Sequence, residues 1–276
     1  MPQAKIGITE NGDASRDYTW EDKANNMDMM VLITKNVTDE FIQRVLPYRQ
    51  KVILHATCTG YGGTVIEPNV PKYIEQLEQV RKLIAYGFPA EQIVIRIDPI
   101  IPTVKGCLLF ETIVEDIHLD VKRFRISVID NYKHMQARFK AAGLPILFNG
   151  EFQAPSEDFA RVDLTINRLK FRFPDIIIES CAEPMLTKVE KIGCVSAKDI
   201  QRFGLEVQEN NKKKRSGCLC EAKSELLPYN HACYCTRKHE IVDRNDNCEL
   251  CDKCKNCEHV QIYGCANRCL YCFWKT

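Results

Sequence analysis

Three cysteines that lie close together near residue 270 constrain this chain more than any other feature of its sequence. Cys265, Cys269 and Cys272 form a C-x3-C-x2-C arrangement, with Tyr271 directly before the last cysteine. Three thiolates at this spacing can hold three irons of a 4Fe-4S cluster and leave the fourth iron open, whereas an electron-transfer cluster uses four cysteines. An open iron predicts that a further ligand binds there. A tetrahedral structural zinc site stays open as the alternative interpretation.

The sequence GCANRCLYC at residues 264–272 resembles the signature of the radical S-adenosylmethionine superfamily. The resemblance implies that S-adenosylmethionine binds the open iron and that the protein positions this cofactor for radical chemistry. The signature is displaced, because in that superfamily it normally lies near the start of the barrel and here it follows the barrel. Tyr271 is the predicted neighbour of the adenine ring.

Cysteine content and charge narrow the class of protein. The 276 residues include fifteen cysteines, and the amino end lacks the features of a secretory signal. Cytosolic thiols stay reduced, so this number of cysteines predicts metal ligation rather than a disulfide framework. The 38 basic residues balance 37 acidic ones, so no global field demands a nucleic-acid or membrane partner. No segment reaches the ~18 apolar residues that span a bilayer. We therefore expect a cytoplasmic protein with no membrane partner.

Short apolar segments alternate with amphipathic ones from residue 4 to about residue 205. This alternation predicts an α/β fold at residues 1–208, namely a (βα) barrel that is fully or partly closed in the manner of a TIM barrel. The segment 70–86 has the apolar spacing of a helix. The predicted strands are residues 4–9, 29–34, 51–57, 92–97, 123–129, 145–148 and 175–181.

Polar residues follow most of the predicted strands. In a barrel the carboxyl ends of the strands face the active site, so these residues are the candidates to line it. Polar turn residues also follow strands for purely structural reasons. The candidates for binding the methionine and ribose groups of S-adenosylmethionine are Arg96, Asp98, Arg125 and Glu179, each of which can equally be a structural barrel residue.

Composition changes sharply near residue 208. The basic run at residues 209–217 indicates a solvated linker, with a phosphate-contacting patch as the alternative. Beyond it, residues 209–276 form a predicted cysteine-rich region with an insert at 230–262 and the cluster motif at 265–272. The insert has few apolar residues, so we expect metal ligation to supply its folding free energy.

Six cysteines of the insert are predicted metal ligands. Four of them form a C-x2-C-x2-C-x2-C run at residues 248–257. The start of this run matches the bacterial ferredoxin pattern, but the proline that ends that pattern is missing. One or two metal sites are expected, with His231 or His239 as alternative further ligands, and both zinc and iron-sulfur stay open. The six residues are Cys233, Cys235, Cys248, Cys251, Cys254 and Cys257.

A further set of four cysteines can fully ligate an auxiliary 4Fe-4S cluster. Their sulfurs should then lie within roughly seven ångströms of one another. Cys58 and Cys107 fit better as buried thiols without a metal. The four predicted ligands are Cys181, Cys194, Cys218 and Cys220.

Six longer segments resemble, in the same order, an uncharacterised bacterial family, the domain-of-unknown-function family eighteen-forty-eight. Its members look like permuted radical S-adenosylmethionine proteins similar to spore photoproduct lyase and DNA repair photolyases. The resemblance implies a barrel whose cluster-binding cysteines come last, and recurring cysteines that match the auxiliary set. The insert at 230–262 and the opening KIGITENGDASRDYTW depart from the family. The segments are LITKN at 32–36, TGYGGTVIEPNVP at 59–71, RIDPI at 96–100, RISVIDNYKH at 125–134, ESCAE at 179–183 and CLCEAKSELLPY at 218–229.

The leading functional hypothesis is a radical S-adenosylmethionine enzyme that abstracts a substrate hydrogen. The family resemblance implies a nucleobase or nucleic-acid substrate, and a reductant protein such as flavodoxin or ferredoxin is the expected partner. The alternatives are a radical enzyme that modifies a peptide and a non-catalytic interaction protein stabilised by zinc. Counts of iron, sulfide and zinc after anaerobic purification separate catalysis from the scaffold.

Overall fold

A computed structural model describes residues 4–10, 12–181, 183–207, 224–227, 232–235, 240–243 and 265–272, with the backbone alone at 232–235 and 240–243. The strands are β1 (Ile6–Ile8), β2 (Met29–Thr34), β3 (Val52–Thr57), β4 (Ile93–Ile100), β5 (Arg123–Val128), β6 (Ile177–Ser180), β7 (Glu190–Lys191), β8 (Glu225–Leu226), β9 (Ala232–Cys235) and β10 (Glu240–Asp243). The helices are α1 (Glu21–Ala24), α2 (Asp39–Val45), α3 (Tyr73–Ala85), α4 (Val104–Ile117), α5 (Lys133–Ala141), α6 (Ser156–Arg172) and α7 (Ala197–Arg202).

The main sheet is parallel throughout and confirms the predicted α/β class. Each strand from β1 to β7 pairs with the next one along the chain, and β8 pairs with β1. The resulting order is β7-β6-β5-β4-β3-β2-β1-β8, in which sequence neighbours are spatial neighbours as in a (βα) barrel. Within the described residues, β7 and β8 are edges that do not pair with each other. Closure into a full barrel therefore stays a prediction.

Both faces of the sheet are buried. In β2, Met30 and Leu32 pack with helices α2, α3, α4 and α6 in the larger apolar cluster, whereas Val31 and Ile33 belong to a smaller cluster on the other face. Full burial of such a side chain contributes about 1.5–3 kcal/mol. Coverage on both faces explains why the strands read as continuous apolar runs in the sequence.

Helix α7 covers part of the second face of the sheet, opposite helices α2, α3, α4 and α6, near the amino ends of the strands. Ile200 joins the smaller apolar cluster together with Ile6 and Met29, the first residues of β1 and β2. Arg123, the first residue of β5, donates to Asp199 of α7 at 2.6 Å. The opposite end of the sheet, where the strands finish, is therefore the end that can hold a site.

The strand predicted at residues 145–148 is wrong. The structure has a short 3-10 helix at Leu147–Gly150, with positive φ angles of 51° at Phe148 and 52° at Asn149. The amide of Asn131 donates to the carbonyl oxygens of Leu147 at 2.8 Å and Glu151 at 2.9 Å, which holds the segment as a loop. Positive φ angles are incompatible with an extended strand.

The other predicted strands coincide with β1 to β6, with differences at their ends. The helix predicted at 70–86 is confirmed but begins later, at Tyr73, because Pro71 precedes it. The backbone N–H of Lys72 donates to the Glu75 carboxylate at 3.0 Å and starts the helix there.

In the cysteine-rich region, β9 and β10 pair antiparallel in a sheet of their own. The rest of the predicted insert at 230–262 and the basic run at 209–217 lie outside the described residues, so the metal-organised insert stays a prediction. No helix in the described part of the chain has both the length and the apolar character needed to cross a bilayer.

Candidate functional site

Residues 265–272, here called the cysteine loop, lie at the carboxyl end of the sheet and form one wall of a cavity of about 320 Å³. The opposite walls come from the ends of β2 to β5 and from the loops that follow β1 and β5. Polar residues at several strand ends therefore converge, as the sequence predicted. The charged residues of the wall are Glu10, Asp13, Lys35, Arg96, Asp98 and Asp130.

Asp13 connects the cysteine loop to the loops after β1 and β2. Its side chain is buried and accepts hydrogen bonds from Ser15 Oγ at 3.0 Å and Thr34 Oγ1 at 2.6 Å. It also accepts from the backbone N–H of Lys35 at 2.8 Å and from Asn267 Nδ2 at 2.6 Å. Hydrogen bonds to an ionised acceptor are about twice as strong as neutral ones. The bond to Asn267 therefore fixes the first half of the cysteine loop.

Tyr271 fixes the second half of the loop through a buried charge pair. Its hydroxyl donates to the carboxylate of Glu67, a residue with no exposed surface, and accepts from Lys35 Nζ at 2.7 Å. Lys35 Nζ also lies 2.8 Å from Glu67 Oε1, and Thr59 Oγ1 donates to Glu67 Oε2 at 2.6 Å. Burial lowers the pKa of Lys35, but the charge of Glu67, the hydrogen bond to it and the other negative groups nearby together outweigh burial, and the net shift is upward. Burial, assisted by Glu67, raises the pKa of Tyr271.

Backbone and apolar contacts complete the anchoring. Leu270 is buried in an apolar cluster with Met135 and Phe139 of α5, and its N–H donates to the Ile66 carbonyl at 2.9 Å. Arg138 of α5 donates to the Cys272 carbonyl at 2.6 Å. The cysteine loop is therefore held in place by contacts with the rest of the described fold.

Cys265, Cys269 and Cys272 all line the cavity. Burial raises the pKa of the Cys265 thiol to about 11 and that of the Cys269 thiol to about 12. Metal binding at these thiols must therefore release protons. Among the described residues, no group of three or more His, Cys, Asp or Glu side chains is arranged to hold a single metal ion.

The four polar residues predicted to bind the cofactor form two pairs, of which one lines the cavity and the other does not. Arg96 and Asp98 line the cavity and form an ion pair with each other. Arg125 and Glu179 are buried outside the cavity lining, where Arg125 donates to Glu179 at 2.9 Å and to the Gly193 carbonyl at 3.0 Å. The second pair therefore joins β5 and β6 to the segment before α7. Its predicted contact with the cofactor stays a prediction.

The described half of the auxiliary set converges. Cys181 and Cys194 have sulfurs 3.8 Å apart, within the distance that a common metal centre requires. The hydrogen bond from Cys181 lowers the pKa of Cys194. Cys58 and Cys107 are buried among the apolar residues on the helix side of the sheet, as expected for thiols without a metal.

Eight predicted ligands cannot be placed at the level of side chains, because they lie outside the residues whose side chains are described. They include half of the auxiliary set and all the ligands of the insert. These residues are Cys218, Cys220, Cys233, Cys235, Cys248, Cys251, Cys254 and Cys257.

A half-buried carboxyl group lies behind another wall of the cavity. Glu183 Oε1 accepts hydrogen bonds from Ser127 Oγ at 2.7 Å and from the Val128 N–H at 2.8 Å, and both of these residues line the cavity. Burial raises the pKa of Glu183 to about 7. Such a group exchanges a proton near neutral pH, as general acids and bases do.

Sequence reasoning missed the roles of Asp13, Glu67 and Asn267. Asn267 lies between two motif cysteines, and Glu67 lies within the TGYGGTVIEPNVP segment, so position pointed to both without indicating their contacts. Asp13 had no sequence signal. Its role depends on contacts between residues that are 254 positions apart.

The family described as Domain of unknown function (DUF1848) matches residues 9–238 and confirms the predicted family. The matched range covers the described strands from β2 to β9 and ends before the cysteine loop. No curated protein matches the sequence.

Proposed function

The chain belongs to the family of unknown function DUF1848, and from the cysteine loop we propose that it is a radical S-adenosylmethionine enzyme. The observation that carries the proposal is that Cys265, Cys269 and Cys272 line one cavity at the carboxyl end of a parallel sheet. Three thiolates are the ligand set of a 4Fe-4S cluster with one open iron. When bound, the cluster and S-adenosylmethionine supply a 5′-deoxyadenosyl radical that abstracts hydrogen from a substrate.

The described residues fit this pair of cofactors. The three thiols face the same space, and the loop that carries them is held by Asp13, Glu67 and Arg138. Preorganised ligands bind with a smaller entropic cost than ligands on a free loop. The cavity combines both signs of charge, which suits a cofactor with an amino group, a carboxylate and a sulfonium.

The chain's own residues hold, orient and shield what enters the cavity. In this proposal Arg96 and Asp98 face the polar groups of S-adenosylmethionine, since they line the cavity and already neutralise each other. Ile33 and Val128 supply apolar wall that excludes water from a reactive radical. Glu183, with its raised pKa, can give or accept a proton through Ser127.

The proposed architecture is a partial or full barrel around this cavity, with a metal-binding cysteine-rich region after it. The sequential strand order β8-β1 to β7 supports the barrel. The auxiliary centre, iron-sulfur or zinc, is proposed at Cys181 and Cys194 with Cys218 and Cys220. The number of thiols makes a reducing, cytoplasmic location the expected one.

The test is the triple variant Cys265→Ala, Cys269→Ala and Cys272→Ala, purified anaerobically beside the wild type. We expect the wild type to contain about eight irons, enough for two cubanes, and the variant to lose about four of them. Formation of 5′-deoxyadenosine with dithionite should disappear. Cys107→Ala, which removes a core thiol, is the matched control and should keep both the iron and the activity.

Two results contradict the proposal. One is continued 5′-deoxyadenosine formation by the triple variant. The other is a wild-type protein that contains zinc without iron, which favours the interaction-protein alternative. A nucleobase or nucleic-acid substrate and a peptide substrate both stay predictions. Each candidate substrate is supplied in deuterated form, and the true substrate is the one whose deuterium appears in 5′-deoxyadenosine.

A further inference from the structure

A second concavity, here called the outer groove, lies on the other side of the cysteine loop from the cavity. It has a volume of about 410 Å³ and is bordered by the loop after β3, the end of α5 and the cysteine loop. Val65, which is 50% exposed, and Leu270 supply apolar surface, while Arg138 and Arg268 supply positive charge. Its described lining contains no Asp or Glu.

Positive charge continues from the outer groove along α5. This helix carries Lys133, Arg138 and Lys140 and no carboxylate. Lys133 and Lys140 are both exposed, as is Ala141, which borders the groove. Cations in the last turn stabilise a helix, but Lys133 is in the first turn, where a cation is unfavourable. Helix stability therefore does not explain the basic surface as a whole.

Only one layer of chain separates the outer groove from the cavity. Leu270 borders the groove, whereas its neighbours Cys269 and Tyr271 line the cavity. Arg138, also in the groove, donates directly to the Cys272 carbonyl at 2.6 Å. A protein seated in the groove therefore comes close to the three thiols without entering the substrate space.

We propose that the outer groove and the exposed face of α5 dock a small acidic protein that delivers single electrons, of the flavodoxin type. The inference rests on the proposed function, since only a redox centre on the cysteine loop needs such a partner. Charge complementarity selects an acidic partner and accelerates its encounter. Electron-transfer partners bury small interfaces, below roughly 1,200 Å², which a groove with one exposed helix face can supply.

The experiment uses the full-length protein with its metal and a flavodoxin of net negative charge. The variants are Lys140→Glu and the double variant Lys133→Glu/Lys140→Glu, both at exposed positions of α5. They leave the cysteine loop and the bond from Arg138 to Cys272 intact. Arg202→Glu, an exposed change at the end of α7, is the matched control at the opposite end of the sheet. Formation of 5′-deoxyadenosine is measured with reduced flavodoxin and, separately, with dithionite. Zero-length carbodiimide cross-linking maps the contact.

We expect the double variant to raise the KM for flavodoxin about tenfold at low salt, with a smaller effect in the single variant. Rates with dithionite and all rates of Arg202→Glu should match the wild type. In the wild type, cross-links should join flavodoxin carboxylates to Lys133 or Lys140. An unchanged KM in the double variant, or cross-links confined to other lysines, overturns the proposal. A wild type inactive even with dithionite counts against the proposed function, and cross-linking then decides the docking surface by itself.

Discussion

Replacing Lys35 with methionine should destabilise the fold far more than the loss of a surface ion pair. Lys35 and Glu67 lie 2.8 Å apart with side chains that are 17% and 1% exposed. In Lys35→Met the Glu67 carboxylate keeps its hydrogen bonds from Thr59 and Tyr271 but loses its counter-charge. Removing one partner of a buried ion pair costs about 3–5 kcal/mol. Because two donors remain, we expect a value near the lower end, about 3 kcal/mol.

The double variant Lys35→Met/Glu67→Gln should recover most of this loss. A neutral amide in place of Glu67 can accept from one of the Thr59 and Tyr271 hydroxyls through its oxygen and donate to the other through its NH2 group. No buried charge is then left without a partner. We expect the double variant to lie within about 1 kcal/mol of the wild type, so that adding Glu67→Gln to Lys35→Met recovers about 2 kcal/mol. Lys82→Met is the control, since its ion pair with Asp39 has the similar length of 2.7 Å but side chains that are 39% and 63% exposed. It should cost less than about 1 kcal/mol.

The assay is equilibrium unfolding in urea of metal-free protein, followed by circular dichroism at wavelengths that report helix. Equal m-values among the variants are required, because a changed slope reports a changed folded or unfolded ensemble. The reasoning is refuted if Lys35→Met costs no more than Lys82→Met. It is also refuted if the double variant is no more stable than Lys35→Met.

Two further predictions concern the interior. His55 is fully buried, and burial, assisted by Arg125, lowers its pKa well below 6.5. The unfolded chain therefore binds the proton first, so this stability is present above about pH 6.5 and is lost by about 1.4 kcal/mol per unit as pH falls. His55→Gln should flatten the urea-measured stability between pH 5 and 7, and an unchanged slope contradicts this. Gly62→Ala should cost about 2–3 kcal/mol in the same unfolding assay, because its Cβ would lie 1.9 Å from the Pro71 carbonyl oxygen. A loss below about 1 kcal/mol would show that the loop relaxes.

Most of the parallel strands could be predicted from the local pattern of apolar residues. Residues 29–34 form a continuous apolar run that is buried at every position, and the predicted bounds are those of β2. Residues 145–148 look similar over a shorter length, but the amide of Asn131 captures the carbonyls of Leu147 and Glu151. A side chain distant in sequence decided that conformation, so local pattern could not predict it.

The candidate site divides in the same way. The cysteine spacing and the aromatic residue beside it were enough to select the three motif cysteines and Tyr271 as the proposed site, because the ligands expected of one cluster come from a short stretch of chain. The pattern of polar residues in and after the predicted strands selected Arg125 and Glu179, which the fold places in a buried ion pair outside the cavity lining.

The sequence by itself determined strands β1 to β6 and the proposed metal ligands of the cysteine loop, since both depend on residues that are near one another in the chain. Only the tertiary structure decided what holds the cysteine loop. Asp13 meets Asn267 and Glu67 meets Tyr271 across separations of 254 and 204 residues. Such contacts leave no periodicity or spacing in the sequence. They exist because parallel strands bring the loops at their carboxyl ends to one place.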